Sequence, residues 1–229
     1  MFKIPNILNP QIIFETNSPV SGEIKVVQIG KERRLMVGGY VQSINGDCPG
    51  VEKRVWGKIV LLGMETCPNL KNILLLGLGG GTIVSLLKKH KPKSNITAIE
   101  IDPKIIAVAK KFFSLSEVAR LNLIEGDAYT FITKKYSCTN LLGKYDLVIV
   151  DVYCGGSFPQ KFWGEKFFKS LKSSMGKGGC VIFNRILRTD VDFEINEAKG
   201  TLSPFFKYVS VHKVNIVGNS GNILFLCKN

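Results

Sequence analysis

The sequence predicts an α/β protein: a doubly wound, seven-stranded, mostly parallel sheet preceded by a small N-terminal antiparallel β meander. Three observations carry this. From Asn72 onward, short apolar runs alternate with amphipathic helical patterns. The first four of those runs lead into Gly77, Glu100, Asp127 and Asp151. The last two, KYVSVHKV and NILFLCK, flank a Gly/Asn/Ser turn at 218–221 and read as a closing antiparallel hairpin.

The elements follow in order. GEIKVVQIG, RRLMVGG and YVQSI are β-rich runs broken by glycine, as a meander requires, so residues 1–50 read as one unit and 51–229 as a second. A helical pattern through Val55, Ile59, Leu62 and Gly63 ends near Pro68. ILLLGL is continuously apolar, the mark of a strand buried on both faces. Next come the helix TIVSLLKKH, the strand NITAIEI and the helix PKIIAVAKKFF, with Pro103 in its first turn and Asp102 as its cap. LNLIEGD and YDLVIVD are further strands around the helix AYTFITKKY. A helix over FWGEKFFKSLKSSM, the strand GGCVIFN and a helix over VDFEINEAKGTLSPFF lead into the hairpin. Phe158, Phe162 and Trp163 are placed as core packing rather than as a lid.

Composition narrows the function. The chain has 229 residues, 45% of them hydrophobic, with 31 Lys+Arg against 18 Asp+Glu and a net charge of +13. That is a globular composition, and the size buries a core without staples. The most apolar stretch, 73–87, is interrupted by glycines and is shorter than the roughly 18 residues of a membrane span. The first fifteen residues show no continuous apolar segment or cleavage site, so a soluble, cytoplasmic protein is expected. Six cysteines without a CxxC pair, and only His90 and His212 beside them, argue for scattered thiols and against bound metal. Lysine runs such as KKHKPK sit at helix ends, where they complement the macrodipole. Nucleic acid is therefore an admissible partner but not the favoured one, since no RNA-binding motif accompanies the charge.

Open α/β sheets bind ligands at the carboxyl ends of their strands. There the chain places the loop Gly77-Leu78-Gly79-Gly80-Gly81-Thr82, whose glycines let backbone approach a ligand. Glu100 lies about 20 residues beyond, where an acceptor-only carboxylate grips a ribose diol. Asp127 can accept from an adenine amino group, and Asp151 stands at the mouth of the fourth strand. Together these describe a nucleoside site. An NAD-linked oxidoreductase shares the glycine loop and the acidic strand end. The missing third glycine of GxGxxG, where Thr82 stands, and the closing hairpin count against it.

The segments RRLMVGGYVQS, ILLLGLGGGT, AIEIDPKIIAVAKKFF, IEGDAYTFI, YDLVIVD and SGNILFLCK together resemble the spermidine synthase (polyamine aminopropyltransferase) family, a branch of the Rossmann-like class I S-adenosylmethionine-dependent methyltransferase fold. The resemblance implies that Glu100 binds the ribose of the donor and Asp127 and Ala128 the adenine, with Ile101 also in the cofactor-binding set. It puts Gly77, Gly79 and Gly81 along the donor's backbone cradle and Gln42 near its tail. Asp151 matches the carboxylate that helps deprotonate the acceptor, with Tyr153 as a second catalytic candidate.

The departures are as informative. The family's glycine loop resembles GGGDGG, and Gly80 stands at its acidic position. Cys154 replaces a second Asp after the fourth strand, and Trp56-Gly57 replaces a Tyr-His or Tyr-Gln pair. Desolvating each end of a diamine without a carboxylate costs several kcal/mol. These changes favour intact S-adenosylmethionine over its decarboxylated form, and so methyl transfer to an unidentified small-molecule acceptor over aminopropyl transfer to a polyamine. A non-catalytic nucleoside- or RNA-binding protein is the remaining alternative. Strand edges of the meander leave a homodimer possible.

Overall fold

A computed structural model describes residues 9–134, 144–187, 190–217 and 220–229. The first sheet holds β1 (Gln11–Ser18), β2 (Gly22–Ile29), β3 (Glu32–Val37) and β4 (Tyr40–Ile44), antiparallel and in that spatial order. It has one more strand than the sequence reading. β1 lies almost entirely exposed at the sheet edge, with Ile12 56% accessible, so its residues carry no buried alternation to read. Its ladder with β2, from Gln11 opposite Gln28 to Ser18 opposite Gly22, holds it in place. The inner face of the meander buries Ile24, Val26, Leu35 and Val37 against Ile105, Val108 and Phe113.

The second sheet has seven strands in the order β10-β11-β9-β8-β5-β6-β7. β5 (Asn72–Leu76) pairs in parallel with β6 (Asn95–Glu100) and with β8 (Tyr145–Val150). β7 (Leu121–Glu125) and β9 (Met175–Leu187) extend the parallel part on either side. β11 (Ser220–Lys228) runs antiparallel between β9 and β10 (Tyr208–Val217), so the closing hairpin is as expected. Chain order reverses between β5 and β8, which puts the ligand crevice at their carboxyl ends.

Alternate residues explain the continuous apolar runs. Ile73, Leu75, Leu147 and Ile149 enter one core, while Leu74, Leu76, Val148 and Val150 enter the other. The first core is covered by α1 (Val55–Thr66) and α2 (Thr82–His90), which contribute Ile59, Val60, Val84 and Leu87. A side chain at Gly63 of α1 would begin 2.6 Å from Leu147, so this helix sits close against β8. α3 (Pro103–Phe112) opens as expected, Asp102 accepting from the Lys104 N–H at 2.8 Å.

α4 (Ala128–Lys134), α5 (Glu165–Ser174) and α6 (Val191–Leu202) complete the second layer. The expected helix over 128–136 and turn over 218–221 extend beyond the described residues. β9 starts at Met175, earlier than the GGCVIFN run suggests, and α6 stops before Pro204, which has no N–H to continue it. Trp163 packs edge-on to Phe168 and Phe183, at 5.5 and 5.4 Å between ring centroids, as core. Among the described residues, no helix is long and apolar enough to cross a membrane.

Candidate active site

The glycine loop is shaped by crowding. Gly77 has φ +88°, and a Cβ there would lie 2.2 Å from the Asp151 carbonyl oxygen. Its N–H donates to Ile99 at 2.9 Å, tying the loop to β6. Gly79 has φ +55° and abuts Ser43 of β4, whose Oγ accepts from the Gly80 N–H at 2.7 Å. Gly77→Ala adds a backbone penalty to a steric clash. It is expected to destabilise the fold by about 3 kcal/mol or more, read as a shift in the urea midpoint.

The loop forms part of a cavity of about 390 Å³ at the carboxyl ends of β5, β6, β7 and β8, within the range of small-ligand sites. Gln42, Gly77, Gly79, Glu100, Ile101, Asp127, Ala128, Asp151 and Tyr153 line it, so nine residues singled out from the sequence meet in one place. Gly81 is outside this lining. Its φ of +84° opens α2, and a Cβ would meet Leu115 at 2.8 Å, so it shapes the loop from behind. Gly80 is likewise outside, packed on Ser43 and Phe113.

Glu100 is held by backbone. Its Oε2 accepts from the Leu78 N–H at 3.1 Å and its Oε1 from the Asp102 N–H at 3.0 Å. Burial pushes its carboxyl up, against the lowering effect of these N–H groups. The Gly79 and Ile101 N–H groups also act on this carboxylate, whose oxygens are acceptors, the kind of group that two ribose hydroxyls donate to. Asp127 caps α4, its Oδ1 accepting from the Tyr129 N–H at 2.8 Å, while its Oδ2 pairs with Lys161 at 2.8 Å. Burial raises the Asp127 carboxyl, but the Lys161 ammonium and the Tyr129 N–H outweigh it and hold the group below the usual range. Lys161 also lines the cavity, a residue that no motif in the sequence marks.

Asp151 follows β8. Its Oδ1 accepts from Asn184 Nδ2 at 2.8 Å, and Asn222 Nδ2 donates to Asn184 Oδ1 at 3.0 Å. Burial pushes the Asp151 carboxyl up to about 6, with the Asn184 hydrogen bond opposing. The Tyr153 hydroxyl donates to the Asn184 carbonyl at 3.1 Å and accepts from the Ile186 N–H at 2.8 Å. These bonds tie the loop after β8 to the end of β9. Tyr153→Phe leaves the Ile186 N–H without that acceptor, and a loss of about 1–3 kcal/mol is expected in denaturant unfolding. The same loop turns back through paired Cys154 and Ser157 backbone bonds, and Gln42 Nε2 donates to the Gly155 carbonyl at 2.7 Å.

A second cavity, of about 300 Å³, lies beside the first and shares Gln42, Asp151, Tyr153 and Gly155 with it. Its other walls include Trp56 of α1, Asn184, Asn222 and the charged side chains Glu32, Arg34 and Arg54. Asp151 thus stands on the boundary between two cavities.

Residues 52–226 match the family model of the spermine/spermidine synthase domain. The chain belongs to this family. Over 126 residues this spermidine synthase-domain chain is 32% identical to the "eEF1A lysine and N-terminal methyltransferase homolog" of Drosophila melanogaster, covering 52% of this chain and 18% of that protein. It spans about half or less of the length of the first curated relatives it matches. A probable spermidine synthase from Corynebacterium glutamicum shares the fold with a TM-score of 0.78 at 17% identity, over 95% of this chain and 80% of that one. Human methyltransferase-like protein 13, solved in complex with SAH, shares it with a TM-score of 0.63 at 24% identity, over 79% and 82%.

Proposed function

We propose that this chain transfers a methyl group from S-adenosylmethionine to a small acceptor, with Asp151 as general base. The observation that carries the reading is the place of Asp151 between two cavities. One is furnished for a nucleoside by Glu100, Asp127 and the glycine loop, and the other is open for an acceptor. The lining fits an adenosyl group: Glu100 is an acceptor-only carboxylate for the ribose hydroxyls, Asp127 and Ala128 stand where adenine would lie, and Ile101 gives an apolar face. When bound, the sulfonium supplies a methyl carbon with a good leaving group already in place.

The residues of the chain supply the rest. Asp151 takes the acceptor's proton, and a carboxyl titrating at about 6 is mostly ionised at neutral pH yet basic enough for the task. Asn184 fixes its direction by a direct bond, Tyr153 holds the Asn184 backbone, and Gln42 holds the Gly155 loop over the junction of the cavities. The alignment of acceptor and methyl carbon is then the main source of rate.

Preference for the carboxylated donor rests on Gly80. That position puts no carboxylate where the family's loop has one, so nothing from it repels the donor's own, and a Cβ there would crowd Ser43 and Phe113 at 2.9 and 3.3 Å. The family's name favours aminopropyl transfer from decarboxylated S-adenosylmethionine as the second reading. Incubation with each donor and a panel of acceptors separates them by mass spectrometry. Adenosylhomocysteine as product is expected; methylthioadenosine formed with putrescine would reverse the order.

A further inference from the structure

The second cavity is electrically two-ended. On the sheet side stands Asp151, anchored by Asn184. On the side of the meander and α1, the Glu32 carboxylate is shared by two guanidinium groups. Arg34 Nε bonds its Oε1, and Arg54 Nη2 lies 3.4 Å from its Oε2. Each guanidinium carries five N–H donors, and Glu32 can neutralise only one of the two charges. The Glu32 side chain is 15% exposed and the Arg54 side chain 52%, and both arginines line the cavity, so one positive charge remains there.

An alkyl diamine suits this lining poorly. One ammonium can meet Asp151, but the other end meets the cluster of Glu32 with two arginines, which keeps a net positive charge and repels it. A bipolar molecule suits both ends, and guanidinium holds carboxylate in a two-point geometry that ammonium does not offer.

We propose that the acceptor is an amino-carboxylate, its amine at Asp151 and its carboxylate against Arg34 and Arg54. The inference rests on the methyl-transfer reading only for its chemical step. In that step the ammonium gives one proton to Asp151, and the freed nitrogen lone pair forms the new N–C bond to the methyl carbon. The C–S electron pair stays on sulfur, leaving a neutral thioether, and Asp151 later releases its proton to water. The guanidinium groups bind and orient; they take no part in proton transfer.

The test is calorimetric and needs no turnover. 5-Aminopentanoate and putrescine are similar in length and differ in the charge at one end. Each is titrated into the wild-type chain with and without saturating adenosylhomocysteine. 5-Aminopentanoate is expected to bind at least about tenfold more tightly than putrescine, and Arg54→Gln is expected to remove most of that preference. Arg54 is half-exposed and outside the sheets, so this variant should fold; Arg34→Gln is the second test within β3. Tighter binding of putrescine, binding of neither probe, or a preference unchanged in both variants would overturn the proposal. Failure of adenosylhomocysteine to bind would instead sink the donor reading, with the acceptor preference still read from the titrations without it.

Discussion

Replacing Asp151 by Asn is expected to lower kcat/KM for methyl transfer by about 10²–10⁴-fold while leaving adenosylhomocysteine affinity within about threefold. The asparagine keeps an oxygen to accept from Asn184 Nδ2, so the local geometry survives and only the base is lost. The pH dependence has a definite sign. A carboxyl accepts a proton only when ionised, and this one titrates at about 6, so wild-type kcat/KM should fall as pH drops through that value. The variant should lack that limb. Stability moves the other way. The folded-state value is raised above the unfolded one, so protonation favours the folded chain, and this contribution is lost as pH rises from about 4 to about 6. Asp151→Asn should therefore melt higher than the wild type at pH 8, with the gain vanishing near pH 4. A variant that loses activity and stability together at pH 8 would mean that Asp151 supports the fold rather than the reaction.

Glu100→Ala is expected to weaken adenosylhomocysteine binding by about 100-fold or more in calorimetry. Two ribose hydroxyls donating to one carboxylate are hydrogen bonds to a charged group, each worth about 1.5–3 kcal/mol. The alanine also strips acceptors from the Leu78 and Asp102 N–H groups, so the glycine loop and the start of α3 both loosen. A fall in melting temperature should accompany the loss of affinity. Glu100→Gln separates the two effects. It keeps one carbonyl oxygen but turns the other acceptor into a donor, which now opposes one of those N–H groups. Its affinity should lie between those of alanine and wild type. If both variants bind the nucleoside as the wild type does, the carboxylate is a loop clamp and nothing more.

The alternation of apolar runs and helices was legible because β5, β6 and β8 are buried on both faces, so residue type alone reveals them. β1 was not, because an exposed edge strand is held by its ladder and leaves no pattern in its side chains. At the site, the strand-end carboxylates were legible since the fold puts strand ends together whatever the loops do. Their partners were not. Lys161 reaches Asp127 from a short 3-10 turn 34 positions away, and Asn184 meets Asp151 from the neighbouring strand. Both contacts depend on tertiary placement, which local spacing does not encode. Gly81 illustrates the converse: its place in a glycine-rich loop suggested ligand contact, whereas its conformation serves the helix that follows.

A crystal structure with adenosylhomocysteine tests the donor site most directly. The ribose hydroxyls should lie within about 3 Å of the Glu100 carboxylate, with adenine beside Asp127 and Ala128. The sulfur should face the wall that Asp151 shares with the second cavity. A nucleoside bound elsewhere, or a cavity empty at saturating ligand, would contradict it.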